Sequence, residues 1–294
     1  MSNRRLPFVV LTVVLVIAAC SGGTATPSAS GGKTPSPLPT GLEHPTGSTD
    51  IVLRMEEGGG FVPMEFNAAQ APLFTLYGDG VVVFQRLLTE FPPPGADGIT
   101  RSVAWRTAQL DAGQIEELVT FALGPGGLGA ARDSYMADGI MDAGNTIFTI
   151  DGGGVKKTVT LNALGFDPPN NPDGPARASF KKLADRLRDF DNGGTIATDV
   201  YVPAVYRALI IEREPDPLMV AVAWPWAEIG PDDFAQPAGD GSGAPFPHRT
   251  MTAGEVAAME LGDVSGGMQG LVLKGPDGKF YSFILRPLLP GEQA

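Results

Sequence analysis

The sequence predicts an α+β fold: antiparallel β-hairpins and sheets carrying two or three helices on one face. Three observations predict it. Short runs of alternating apolar residues are broken by Gly–Asp–Gly and Asp–Gly turns, which is the pattern of hairpins. Two longer stretches repeat their apolar residues at the 3.6-residue helical period. Gly 39 and Pro 27 in 294 residues supply the many turns that short elements require.

Composition narrows the function classes. With 21 Lys+Arg against 33 Asp+Glu, the formal charge is −12. That balance argues against a nucleic-acid partner, which needs a basic patch, and leaves no attraction for anionic lipid headgroups. Hydrophobic residues at 43 % are too many for a wholly disordered chain. At this length one globular unit or two closely packed ones is expected.

The chain begins with Arg4 and Arg5, followed by the apolar stretch Phe8–Ala19. That stretch is shorter than the roughly 18 residues or more that a spanning helix needs, so 1–19 reads as an export signal peptide. Ile17, Ala18 and Ala19 then precede Cys20, the single cysteine. This run resembles the lipobox of bacterial lipoprotein signal peptides. The resemblance implies that the Cys20 thiol takes a diacylglyceryl group, with palmitate-like chains, and that the signal is cleaved ahead of it. An ordinary secretory signal with a chance cysteine is the competing reading. Two acyl chains give a stable attachment where one is marginal, so the expected location is the extracytoplasmic face of the cell membrane. With Cys20 lipidated no thiol remains for a disulfide, and stability must come from the core.

Apart from Lys33, Leu38, Leu42, Glu43 and His44, residues 21–49 are Ser, Gly, Thr, Pro or Ala. Residues 20–49 are therefore expected to be a lipidated cysteine and a disordered tether, spanning on the order of 30 Å root-mean-square. From Asp50 the pattern changes. Ile51–Glu57 and Phe74–Phe84 read as strands, the second turned at Gly78-Asp79-Gly80. Asp111 and Gln114 form a capping box ahead of Ile115, Leu118, Val119 and Ala122, predicting a helix over Ala112–Leu123 that stops at the run Gly124–Gly129.

The order then recurs. Phe74–Val81 (FTLYGDGV) aligns with Phe148–Val155 (FTIDGGGV), and a helix is expected at Ala176–Phe190 with Phe180, Leu183, Ala184 and Leu187 on one face. A third round runs from Tyr206–Glu214 through a helix at Thr252–Leu261 to a hairpin at Gly270–Leu288 with Asp277-Gly278 at its turn. Internal duplication and convergence on hairpin chemistry both account for the recurrence. The best domain boundary is the turn Asn192-Gly193-Gly194-Thr195, giving 50–195 as one α+β domain and 196–294 as a C-terminal α+β part, either separate or within the same domain.

The chemistry-bearing motifs are few. Gly124-Pro125-Gly126-Gly127-Leu128-Gly129 satisfies G-x-G-x-x-G, but it follows a predicted helix where a dinucleotide loop must follow a strand, so it reads as a helix stop. His248 is the only histidine after the tether and falls in a Pro-rich stretch read as a loop, a poor general base with no activated serine nearby. No catalytic residue, cofactor or metal is therefore assigned. Asp138, Asp142 and Asn145 in DGIMDAGN, and Asp167, Asn170, Asn171 and Asp173 in DPPNNPDG, would offer oxygens to Ca²⁺. Neither has EF-hand spacing, and local backbone capping explains them equally. If Ala223–Trp226 is extended, Trp224 and Trp226 share a side and would stack on a sugar ring or peptide, against the alternative of core packing.

With IVLRMEEGGGFVPMEF near its start and FILRPLLPGE at its end, the tethered body resembles uncharacterised extracytoplasmic lipoproteins of Actinobacteria- or Chloroflexi-like bacteria, which implies no particular activity. The middle segment, with the helix at 112–123, Tyr135, Asp142, TIFTIDGGGVKKTVTL and the helix at 176–190, is similar in element order to emfourin, an inhibitor of thermolysin-type metalloproteases. The expected function is thus a lipid-anchored, non-catalytic binding or interaction module for a protein, peptide or glycan, its ligand sites at Trp224 and Trp226 or at Asp138, Asp142 and Asn145. An emfourin-like inhibitor and a carboxylate-dependent hydrolase are the alternatives.

Overall fold

The computed structural model describes residues 41–86, 88, 90, 92–137, 139–140, 142–166, 171–216, 220–235 and 246–292. The expected signal peptide and lipobox, Cys20 and most of the expected tether lie outside them. Residues 39–294 form one compact unit. Along it run β1 (Ile51–Gly59), α1 (Met64–Ala68), β2 (Phe74–Tyr77), β3 (Val81–Phe84), β4 (Thr100–Arg101), β5 (Arg106–Gln109), α2 (Ala112–Leu123), β6 (Ser134–Tyr135), β7 (Gly144–Gly152), β8 (Val155–Asn162) and α3 (Gly174–Arg188). Then follow β9 (Asp199–Val200), β10 (Val205–Arg213), β11 (Val222–Ala223), β12 (His248–Thr252), α4 (Ala253–Ala257), β13 (Met268–Lys274) and β14 (Phe280–Pro287). The fold is α+β and mostly β.

The strands make two sheets. The first has the order β6-β8-β7-β1-β2-β3-β5-β9, antiparallel except for β6 on β8. The second has the order β11-β13-β14-β10-β12, with β4 reaching across from the first half of the chain to pair with β13. The FT segments recurring in the sequence flank β1 in equal register. Phe74 and Phe148 both lie opposite Met55, and Leu76 and Ile150 both lie opposite Leu53. Each therefore meets the same central strand at the same depth, and the same side chains fill that space.

Alternation decides which faces are covered. Leu53, Met55, Phe74, Leu76, Phe148, Ile150, Val159 and Leu161 point to one face of the first sheet, where Ile115, Leu118, Val119 and Ala122 of α2 and Phe180, Leu183, Ala184 and Leu187 of α3 pack on them. Each such side chain contributes roughly 1.5–3 kcal/mol on burial, which makes this face the main source of stability. The α2 capping box forms, Gln114 N–H donating to Asp111 Oδ1 and Asp111 N–H to Gln114 Oε1, both at 2.9 Å. The second sheet covers one face with Val256 of α4, Phe234 and the tryptophans 224 and 226.

The remaining faces enclose a middle layer. Tyr77 and Val83 of the first sheet pack with Ala71, Trp105 and Leu289, while Leu209 and Ile284 of the second pack with Ala68 and Ala69. The loop leaving α1 thus serves both sheets. Arg286, facing this layer, pairs with Glu292 at 3.0 Å, and Glu292 also accepts from Leu289 N–H at 2.7 Å, which pins the C-terminal segment down. Burial raises the Glu56 carboxyl above the usual range, partly offset by Arg54.

Several expectations change. The tether is not free to residue 49: Leu42 packs on the first core, and Glu43 C=O accepts from Gly153 N–H at 2.8 Å, because a leucine in that polar run finds an apolar surface beside α2. The helix expected over 252–261 stops at Ala257, and Glu260 adopts a left-handed φ of 55° in the turn beyond it. His248 does not lie in a loop. It opens β12 opposite Leu209, is 3 % exposed, and its Nδ1 donates to Phe246 C=O at 2.8 Å.

Candidate functional site

A cleft of about 820 Å³ opens where β1 outruns β2. Its upper wall comes from the far ends of β1 and β7. The backbone turns at Gly59 and Gly60, where φ is 76° and 82°, and Phe61 N–H donates to Asp142 C=O at 2.8 Å. A Cβ at Gly60 would lie 2.9 Å from Gly144 N, so only glycine allows the two strand ends to meet this closely. Gly59 N–H is held by Asn67 Oδ1 at 3.0 Å, which ties α1 to the same corner.

The floor is the crossing between sheets. Ser102 N–H donates to Gly267 C=O at 3.0 Å, and a Cβ on Gly266 would meet Ser102 C=O at 2.2 Å, so the approach of these two backbones requires that glycine. Trp105, 5 % exposed, lines the cleft and donates from Nε1 to Pro72 C=O at 3.2 Å. The rim is apolar and open to water: Phe61 is 90 % exposed and Phe166 70 %, with Val62 and Val103 beside them.

Charges in the cleft are matched within the chain. Arg188 pairs with Glu57, Arg86 Nε donates to the buried Asp191 carboxylate at 2.6 Å, and Arg101 pairs with Asp97 at 2.6 Å while donating to Leu261 C=O at 2.8 Å. Arg101 and the Ile99 N–H hold the Asp97 carboxyl at about 2. Among the described lining residues this leaves Asp142 as the unmatched acid at the rim. Glu57 and Asp142 are the two acids among the described lining residues, and Glu57 is paired with Arg188.

Of the residues singled out from sequence, Asp142 and Asn145 both line this cleft. Asn145 Oδ1 accepts from Asn162 Nδ2 at 3.3 Å, and the same amide donates to Ala143 C=O at 3.0 Å, so the pair braces the start of β7. Asp138, Asp167 and Asn170 lie outside the described residues. Asn171 Oδ1 caps Asp173 N–H at 2.9 Å. No cluster of three His, Cys, Asp or Glu side chains arranged for a metal occurs among the described residues.

Trp224 and Trp226 lie elsewhere, on the outer face of the second sheet. Their rings meet edge to face with centroids 5.5 Å apart, Trp224 against Phe234 and Tyr281, Trp226 against Phe283. Both are half-buried, and their indole N–H groups donate to Ile229 C=O and to Glu255 C=O. The shared side read from extended spacing is present, and it faces the second core. Sequence reasoning missed Phe61, Phe166, Val103 and Trp105. The available signal was an aromatic next to glycine in GGGF and GFDPP, where a turn exposes the following side chain.

The fold and site define an α+β protein with an apolar-rimmed cleft between two sheets. The chain matches no protein family, no curated protein and no solved structure.

Proposed function

We propose that the chain is a lipid-anchored, extracytoplasmic, non-catalytic binding module whose ligand site is the cleft between the sheets. The observation that carries the reading is the apolar rim: Phe61 and Phe166 stand in water around a cavity of ligand size. Leaving such side chains exposed forgoes the burial free energy that the rest of the chain collects, and a ligand recovers it. The internal pairing of Arg86, Arg101 and Arg188 supports binding over catalysis, since each guanidinium already has its acid.

The test uses the full chain in mild detergent below its micelle-forming concentration and the uncharged polarity-sensitive dye Nile red. Dye fluorescence is expected to rise with the native chain and to fall by more than half in the Phe61→Ser/Phe166→Ser double variant, with unchanged circular dichroism. Undiminished fluorescence in a folded double variant would remove the cleft as the site. A parallel incubation with a thermolysin-type protease separates the inhibitor alternative: the binding-module reading expects unchanged protease activity at large excess of the chain.

A further inference from the structure

The ligand class follows from the backbone of β1, on the reading that the cleft is the ligand site. In β1 the backbone groups alternate between neighbours. Met55 C=O accepts from Leu73 N–H at 2.9 Å and Gly59 N–H donates to Asn67 Oδ1 at 3.0 Å, so the odd-numbered residues face the side on which β2 lies. The even-numbered ones bond to β7; in keeping with this, Gly144 of β7 turns its C=O the other way and accepts from Ala163 N–H at 2.9 Å.

Pairing with β2 ends at Met55–Phe74. Leu73 still bonds on both sides, to Met55 and to Gln85, and before it the chain turns away, with Ala71 buried in the middle layer against Tyr77, Val83 and Trp105. Glu57 is left between the two anchored positions. By the same alternation its N–H and C=O point away from β7, toward the side that β2 has left, and Glu57, Gly58 and Gly59 line the cleft. On the far side of the gap the chain continues past β3, with Gln85 N–H bonded to Leu73 C=O at 2.8 Å, and Gln85, Arg86 and Leu88 line the opposite wall. β1 and β3 are separated by one strand, so where β2 is absent the gap is about 9.6 Å wide, the room that one extended chain occupies.

We propose that the cleft binds an extended, uncharged peptide segment with apolar alternate residues, added as a strand against β1 at Glu57. Strand addition satisfies the open N–H and C=O of Glu57, and alternate side chains reach the rim at Phe61 and Phe166. Charge selects the same partner. The lining guanidinium groups are already matched by Asp191, Asp97 and Glu57, and Asp142 together with the −12 of the chain disfavours acidic ligands. An acyl chain would cover the rim but bury the Glu57 backbone groups without partners, which is costly.

The probe is a fluorescein-labelled, end-blocked heptapeptide of alternating Val and Thr, read by anisotropy against the full chain in detergent. Glu57→Gln removes the ion pair with Arg188 and keeps the backbone N–H, so it measures the share of the side chain, and its loss of affinity should be smaller than that of Glu57→Pro. Glu57→Pro removes that N–H at a position that does not bond to β7, and should weaken binding by about tenfold. Should Glu57→Pro fail to fold, the native chain decides: a peptide N-methylated at alternate amides should bind about tenfold more weakly on the methylated face. Undiminished binding of the methylated peptides, or of the native peptide to a folded Glu57→Pro chain, overturns strand addition. Displacement of the dye by oleate, unaffected by Glu57→Pro, with no binding of either peptide, overturns the peptide assignment and leaves the cleft intact as a site. Absence of both dye and peptide binding removes both.

Discussion

Arg177 shows how one residue can organise the end of a sheet. It is fully buried on α3, one turn before Phe180, and its guanidinium donates to Tyr135 C=O at 3.3 Å, to Asn162 C=O at 2.9 Å and to Ala163 C=O at 2.9 Å. Those carbonyls end β6 and β8 and begin the turn at Ala163, where φ is 51°, that leads to Phe166 on the cleft rim. Methionine in its place would fill similar volume and take the guanidinium from all three carbonyls, of which Ala163 C=O keeps the Phe166 N–H at 3.0 Å, each buried acceptor left unsatisfied costing about 1–3 kcal/mol. Arg177→Met should therefore lose about 3 kcal/mol or more in urea unfolding, and hydrogen exchange at Leu161 and Ala163 should accelerate before exchange in α2. A loss below about 1 kcal/mol would mean that water replaces the guanidinium there.

At the scale of elements, what the sequence disclosed was local and what it hid was not. The hairpins declared themselves by alternation and turn residues, and Asp79 Oδ1 capping Val81 N–H at 3.1 Å is the physical content of one such turn. The α2 boundaries follow from Asp111 and Gln114, three residues apart. Arg177 was hidden because a charge on an apolar helical face reads as solvated unless the carbonyls it will meet, up to 42 positions away, are known. The cleft was hidden for the same reason, since Ser102 meets Gly267 and Arg188 meets Glu57 only after folding. Asp142 and Asn145 were visible as polar turn residues, but the apolar rim beside them was not.

The same elements predict where acid acts first. Four carboxyls at the second sheet are held below their usual range: Asp97 by Arg101, Glu255 by the Thr252 N–H, Asp263 by the Ser265 N–H and Asp277 by the Tyr281 hydroxyl. A depressed carboxyl contributes stability that is present above its unfolded value and is lost as pH falls through the folded one; for Asp97 that window runs from 3.8 down to about 2. Glu56 on β1 has the opposite sign. Raised by burial, it favours the fold when protonated and loses that contribution as pH rises above 4.5. Acidification from pH 5 to 2.5 should thus loosen β13 and β14 before β1 and β7, seen as earlier loss of amide protection at Leu273 and Tyr281 than at Leu53 and Ile150. Earlier loss in the first sheet would contradict this assignment of signs.

Across the whole molecule, the point where the chain enters the fold and the site lie at opposite ends of one hairpin. Leu42 and Glu43 dock at Gly153, in the turn joining β7 to β8. The cleft is built on Gly144 and Asn145 at the other end of β7, a strand of nine residues and so about 27 Å long. If Cys20 carries the anchor, the hold comes from acyl chains alone, because a −12 chain has no electrostatic pull toward an anionic surface and none of the described helices is long and apolar enough to cross a membrane. Cys20→Ser should then move the full chain from the membrane pellet to the soluble fraction on cell fractionation, in high salt and low salt alike. Dye binding at the cleft should be unchanged, since Cys20 precedes the docked segment. Sedimentation with membranes as firm as that of the native chain would remove the lipid from the account, while leaving the geometry of the cleft untouched.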